Sequence, residues 1–268
     1  MTDKNLKQLS ENEKQSALDY LQQEPDFNIF IISDIENYGM KTKFQTVWGY
    51  YEDNNIIGIL LHFYDTFIIY TNNKQAAEAF SSVILETNSI TSIAGKQECI
   101  ELLKNINYFK QKSTRSMYLL KLTSINSIDI NKSLHTQRMT IQDISALIEF
   151  HKTVPDFDTN IKSGTYKKML IQNEKEKTGR GYIIKENEQV ICSAISSAES
   201  SQAAILIGVA TEKIYQNKGF ATTTVYTLCK ELVNEGKTVC LFFDNPDAGS
   251  IYKKIGFKDA GFWSICNI

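Results

Sequence analysis

The part of this 268-residue chain best equipped for chemistry runs from Ala204 to Thr222. A run of apolar residues, Ala204-Ile205-Leu206-Ile207-Gly208-Val209-Ala210-Thr211, reads as a buried strand. A polar loop follows, and Gln216-Asn217-Lys218-Gly219-Phe220-Ala221-Thr222 then opens a helix at a glycine followed by small residues. The first N–H groups of a helix have no partners within it, and the macrodipole adds partial positive charge there. Such an end suits a phosphate. Gly219 would let the backbone approach a ligand closely, Ala221 and Thr222 keep bulk away, and Lys218 could add a point charge. A P-loop would need GxxxxGK[ST] and a dinucleotide fingerprint GxGxxG; neither spacing is present. Taken alone, the segment also reads as an ordinary strand–loop–helix connection with a tolerated glycine.

A second stretch bears on that choice. After an apolar run over 238–243 comes Asp244-Asn245-Pro246-Asp247-Ala248-Gly249-Ser250-Ile251-Tyr252-Lys253-Lys254-Ile255-Gly256-Phe257. With Gln216–Ala221 matching [Q/R]xxGx[G/A], and an Asn followed by a YxKxGF-like stretch behind it, the sequence from about Thr136 to Ile268 resembles the Gcn5-related N-acetyltransferase (GNAT) superfamily. The resemblance implies an acyl-coenzyme A held along a splayed sheet. Backbone groups of Val209, Ala210 and Thr211 would pair with the pantetheine arm. The amides of Gln216, Asn217, Lys218, Gly219, Phe220 and Ala221, with Thr222 beside them, would cradle the pyrophosphate. The Asn245 side chain would reach the cofactor, and Tyr252 would sit near the thioester sulfur as the catalytic acid.

The implied chemistry is direct attack of an amine on the thioester. The oxyanion would need a preorganised donor, most simply the Val209 or Ala210 N–H. Thiols titrate near about 8.5 and phenols near about 10, so proton donation by Tyr252 would carry a modest cost. Many members of the superfamily place a glutamate on or beside the corresponding strand. Here Ala203–Thr211 contains no acid, and Glu199, Glu212 and Asp158 read as solvated carboxylates. No general base is assigned.

The elements that must position these residues can be read around them. In the C-terminal half a strand at about 135–139 leads through Thr140, a plausible N-cap, into a helix over 141–150. A polar region from Thr153 to Gly164 precedes a helix ending near 172. Strands are expected at 181–185, 190–196 and 203–209, the first two joined by a tight turn at Glu186-Asn187-Glu188. In the helix over 219–235, Val225, Leu228, Cys229, Leu232 and Val233 make one apolar face. The strand at 238–243, a helix over 247–255 and a final pair of strands in 257–268 complete this half.

The N-terminal half repeats the order more faintly. Helices are expected at 11–22 and 28–38, strands at 46–52, 56–64 and 67–70, a helix at 74–87, a strand near 92–94, a helix at 96–103 and a strand at 115–122. After its third strand comes Thr71-Asn72-Asn73-Lys74-Gln75-Ala76-Ala77, with no glycine where the loop would need one. The fold class expected is therefore α/β (α+β): two tandem acetyltransferase-like units, each a mixed, mostly antiparallel twisted sheet flanked by helices. The polar stretch 122–129 sets the boundary, giving a degenerate domain over 1–125 that shapes the acceptor pocket and a catalytic domain over 126–268.

Composition narrows the classes. A net charge of -2 with interspersed signs argues against a nucleic-acid binder. No apolar run reaches the roughly 18 residues of a membrane span, and the polar N-terminus carries no signal-peptide pattern, so a cytoplasmic protein is expected. The five cysteines form no CxxC pair and sit mostly in apolar stretches, as buried reduced thiols would. The three histidines are scattered, and no metal site is expected. The function these observations imply is an N-acyltransferase that moves acetyl from acetyl-CoA to a small-molecule or peptide amine, with oligomeric state left open. The alternative is a non-catalytic CoA-binding sensor or scaffold module. A Fem-type aminoacyl transferase fits less well, because such enzymes generally lack an intact pyrophosphate loop.

Overall fold

The computed structural model describes residues 3–131, 133–154, 164–244 and 249–268. The chain forms two compact units, one built from 1–119 with 260–268 and the other from 120–259.

The first unit carries strands β1 (Leu6–Gln8), β2 (Gln45–Glu52), β3 (Asn55–Phe63), β4 (Thr66–Thr71), β5 (Ser92–Lys96) and β6 (Thr114–Leu122). Its helices are α1 (Lys14–Leu21), α2 (Ile29–Tyr38), α3 (Lys74–Glu86) and α4 (Gln97–Lys104). Neighbouring strands β1 to β4 are antiparallel, and β4 runs parallel to β5. The second unit carries β7 (Gln137–Arg138), β8 (Gly181–Glu186), β9 (Gln189–Ser197), β10 (Ala203–Thr211) and β11 (Thr238–Phe243). Its helices are α5 (Ile144–Lys152), α6 (Thr165–Glu176), α7 (Phe220–Asn234) and α8 (Gly249–Ile255). Strands β7 to β10 are antiparallel and β10 runs parallel to β11. The strand pairing within each unit is thus mixed and mostly antiparallel, and the strands are flanked by helices. Among the described residues both units also follow one order: two helices, three antiparallel strands, a helix, a parallel strand and a short helix.

Local chemistry explains the joints. The β2–β3 and β8–β9 hairpins turn through Asp53-Asn54 and Asn187-Glu188, and both residues of each pair have positive φ. That is the turn whose twist matches paired strands, and Asn and Asp tolerate it. The α7 face expected to be apolar is buried: Val225, Leu228, Cys229 and Leu232 are inaccessible and pack with Leu206, Val239, Leu241 and Phe257. The last residues of β6 enter the same core through Leu120 and Leu122. All five cysteines are buried and unbridged. Among the described residues no helix is long and apolar enough to cross a membrane.

The C-terminus departs from the expectation of two strands. A single strand, β12 (Lys258–Asn267), runs through it and pairs antiparallel with β5 in the first unit, Trp263 opposite Lys96 and Asn267 opposite Ser92. Gly261 within it serves close packing: a Cβ there would lie 2.7 Å from the Phe27 ring. By its order in the chain β12 closes the second repeat, yet its hydrogen bonds to β5 belong to the first unit.

An ion-pair network ties β8, β9 and α7 together. Arg180 binds Glu199 at 2.7 Å and Glu231 at 2.7 Å, and also Glu235, while Lys237 reaches Glu199 at 2.8 Å. Glu199, read in the sequence as solvated, is 3% exposed. Its flanking serines and its polarity hid this, because the partners that permit burial lie far along the chain. Burial alone would raise its pKa; hydrogen bonds from Arg180, Lys237 and Ser196 outweigh that and hold the carboxyl below its usual range. The stabilisation is therefore present above the unfolded-state value, about 4.3, and is lost as pH falls through the lower folded value. Glu199→Gln is expected to cost about 2 kcal/mol at neutral pH and to weaken the loss of stability below about pH 4. Urea unfolding at pH 7 and pH 3.5 checks both effects.

Candidate functional site

The site grows from the way β10 leaves its neighbours. Parallel pairing with β11 covers Ala203–Ile205 against Thr238–Cys240 and goes no further, although β10 continues to Thr211. On the other edge the register with β9 breaks between Ile207 and Ala210. Gly208 sits in that break with φ +59°, and a Cβ there would meet Ile195 at 2.8 Å and Tyr166 at 3.0 Å. The extra residue of a β-bulge is unpaired and turns the local backbone. Here the turned segment, Val209-Ala210-Thr211, lines an open cleft of about 570 Å3.

The opposite side of the cleft is the start of α7. Gly219 is its N-cap, in the left-handed region at φ +85°, with Asn217 at φ +59° just before it. No side chain caps the helix. The amides at the start of α7 therefore have neither an intrahelical nor a capping partner. A Cβ at Gly219 would meet nothing within 4 Å, so the position is glycine for its backbone angle and for the space it leaves. The loop is pinned elsewhere. The Gln216 side-chain amide donates to the Thr211 carbonyl at 3.1 Å, Tyr215 hydrogen-bonds Glu186, and its ring packs on Phe220 at 5.3 Å.

Of the residues expected at the site, Val209, Ala210, Thr211, Gln216, Asn217, Gly219, Phe220, Ala221, Thr222 and Tyr252 line this one cleft. Lys218 is exposed and lies over the Tyr215 ring, 5.9 Å from its centre, and is not part of the lining. Asn245 and Asp158 lie outside the described residues. Sequence reasoning did not pick out Tyr215, Ile251 and Lys254, which also line the cleft. Among the described residues no acid is in its lining. A second cleft of about 600 Å3 shares Gly219, Thr222 and Lys254 with the first and continues along Asp129, Asn131 and Ser133. Together the two give an elongated ligand a path past the open helix end.

Tyr252 packs its ring between Phe243 and Phe257, at 6.2 and 5.7 Å. Burial, with a smaller contribution from Cys229, pushes its phenol up to about 12. It therefore keeps its proton at any ordinary pH and remains a hydrogen-bond donor.

In the first unit the same order of elements is closed differently at the corresponding place. Its parallel pair stays zipped over Thr66–Ile69 against Ser92–Gly95, four of the six residues of β4. Helix α3 is capped by its own sequence: the Asn73 side chain accepts from the Ala76 amide at 2.9 Å. Beyond the zipped pair, Tyr70 donates to Glu24 at 2.8 Å and Lys96 pairs with Glu24 at 2.6 Å. A larger, shallow groove of about 1130 Å3 also lies in this unit, along Lys7, Glu13, Tyr20 and Tyr51. Lys7 and Glu13 pair with one another there, and Glu13 is the N-cap of α1.

A family model described as GNAT acetyltransferase matches residues 52–266. No curated protein sequence matches the chain. Among solved structures, a Drosophila protein aligns with a TM-score of 0.71 at 10% identity, covering 98% of each chain. A GCN5-related N-acetyltransferase-like protein from Streptococcus suis aligns at 0.61 with 13% identity, covering 97% of this chain and 100% of that one. A tandem GNAT protein from the clavulanic acid biosynthesis pathway aligns at 0.57 with 10% identity, covering 98% of this chain and 97% of that one. At these identities the likeness is one of fold.

Proposed function

Since the chain belongs to the GNAT acetyltransferase family, we propose that its second unit binds acetyl-CoA and transfers the acetyl group to a primary amine. Family and fold support acyl-CoA-dependent acetyl transfer in general. The observation that carries the finer reading is the meeting, in one cleft, of an uncapped helix N-terminus, the bulged end of β10 and the protonated Tyr252.

The residues divide the work by chemistry. The α7 amides and Gly219 hold the pyrophosphate through the helix dipole and unpartnered N–H groups. Val209, Ala210 and Thr211 present backbone groups to the extended pantetheine arm as a neighbouring strand would. The acyl donor supplies an activated carbonyl and a thiolate leaving group. As the amine nitrogen bonds to the carbonyl carbon, charge builds on the oxygen, and the Val209 or Ala210 N–H is placed to stabilise it. The carbon–sulfur bond then breaks, and the Tyr252 hydroxyl hydrogen-bonds the departing sulfur. The ammonium proton passes to solvent, no carboxylate being among the described residues of the cleft lining.

The absence of an acid from the strand Ala203–Thr211 is the specific observation favouring the second reading, a CoA-binding module without turnover. Calorimetry with CoA and a thiol-release assay separate the two. CoA is expected to bind one site per chain, and acetyl-CoA to release thiol with at least one amine among a polyamine, an amino sugar, an amino-acid amide and a lysine peptide. Binding without release with any of them would replace the enzyme by the sensor. No binding would end both readings.

A further inference from the structure

We propose that Ser193 and His151 are positioning residues that fix the direction of the Val209 amide at the bulge of β10. Neither is part of the cleft lining. Both are completely buried, Ser193 on β9 and His151 on α5. The Ser193 hydroxyl donates to the Gly208 carbonyl at 2.7 Å. A carbonyl only accepts, so the single hydroxyl hydrogen lies on that bond. The 2.8 Å contact between His151 Nε2 and Ser193 Oγ must then be an N–H donating to the hydroxyl oxygen. This assigns the imidazole its Nε2–H tautomer. Burial pulls the His151 pKa down to about 4, so the neutral ring persists across the ordinary working range. The three groups form a chain of hydrogen bonds donated from imidazole to hydroxyl and from hydroxyl to carbonyl.

The consequence lies one atom further on. In a trans peptide the C=O and the next N–H point to opposite sides of the C–N bond. With the Gly208 carbonyl held toward β9, the Val209 N–H is directed away from Ser193, and Val209 lines the cleft. Without the relay little would set this peptide. It sits where the β9 register is broken, and a glycine precedes it that can adopt either sign of φ. Ile195 and Tyr166 leave no room for a side chain that could set the angle instead. The relay thus supplies from the core the orientation that ladder hydrogen bonds supply elsewhere. Its catalytic relevance rests on the reading of the Val209 N–H as a donor to the developing oxyanion.

Three variants and three measurements test this. Thiol release from acetyl-CoA is followed with the fastest amine of the panel, CoA affinity by calorimetry, and the Val209 N–H direction by its residual dipolar coupling. Ser193→Ala is expected to lower kcat about tenfold or more while CoA affinity stays within about twofold, and to change the Val209 coupling. His151→Leu, which removes the donor, should behave similarly. His151→Gln, whose amide N–H can still reach Ser193, should restore most of kcat. A merely structural role would not give this split between kcat and affinity, nor rescue by glutamine. Wild-type kcat in both Ser193→Ala and His151→Leu, or loss of CoA affinity in step with kcat, would overturn the proposal. Should Ser193→Ala not fold, the two His151 variants decide by the same criteria. If the wild-type chain releases no thiol with any amine, the reading of the cleft as a transferase site fails. The clamp is then judged by the dipolar coupling alone: a change upholds it, and an unchanged value overturns it.

Discussion

Glutamate in place of Gly219 is expected to abolish coenzyme A binding, with a loss on the order of a thousandfold or more. One carboxylate about 4 Å from one phosphate charge costs about 4 kcal/mol at an effective dielectric of about 20. The side chain would also fill the space that a Cβ at this position finds empty. Two effects on the fold oppose each other. A non-glycine residue at φ +85° costs about 1–2 kcal/mol. A carboxylate at the uncapped start of α7 recovers up to about 1 kcal/mol through the dipole. The melting temperature should therefore fall only slightly while calorimetry with CoA shows no heat of binding. Gly219→Ala, which has the backbone cost without the charge, should retain measurable binding. A glutamate variant that binds CoA within tenfold of wild type would remove the α7 terminus from the site.

The second large effect is at Tyr252. Phenylalanine there is expected to lower kcat by roughly a hundredfold, in the range for loss of one donor to a developing charge, with little change in CoA affinity. The structure changes the role that sequence suggested. With the phenol pushed up to about 12 and a thiol near about 8.5, outright proton transfer to the thiolate is about 5 kcal/mol uphill. In the proposed mechanism Tyr252 therefore acts by hydrogen-bonding the sulfur as charge develops, and the thiol takes its proton from solvent afterwards. The pH dependence follows. Rate should rise with pH as the acceptor ammonium loses its proton, and no descending limb from Tyr252 should appear below about pH 12. Tyr252→Phe should keep the same profile at a lower level. A descending limb near pH 10 that the variant abolishes would contradict this account, as would an unchanged kcat.

How much of this could be read in the sequence depended on how far apart the cooperating residues lie. The order of elements was legible because each rests on local chemistry. Asp53-Asn54 and Asn187-Glu188 make their own turns, and the spacing of Val225, Leu228, Cys229 and Leu232 defines a buried face. The Gln216–Thr222 segment was legible because a helix end is a short-range feature. The C-terminus was misread: the pair of strands expected over 257–268 is one strand, and Gly261 within it packs against Phe27, more than 230 residues earlier. Glu199 was misread for a similar reason: Arg180 and Lys237 are what make its burial tolerable. The Ser193–His151 relay joins residues 42 positions apart, with no motif linking them. The one local trace of it is Gly208, a glycine inside a strand, which signals a bulge or a close approach. The difference between the two units was only half visible. The missing glycine after β4 could be read, but Asn73 capping α3 and the Glu24–Lys96–Tyr70 cluster beyond the zipped strands could not.

The central claim is that one acyl-CoA site lies in the second unit, between the bulge of β10 and the open end of α7. Amide hydrogen exchange read by mass spectrometry, with and without saturating CoA, tests it most directly. The predicted result is protection in peptides covering Val209–Thr222, with the matching region of the first unit, Thr66 to Lys96, unchanged. Protection confined to the first unit, or no protection at any CoA concentration, would contradict it.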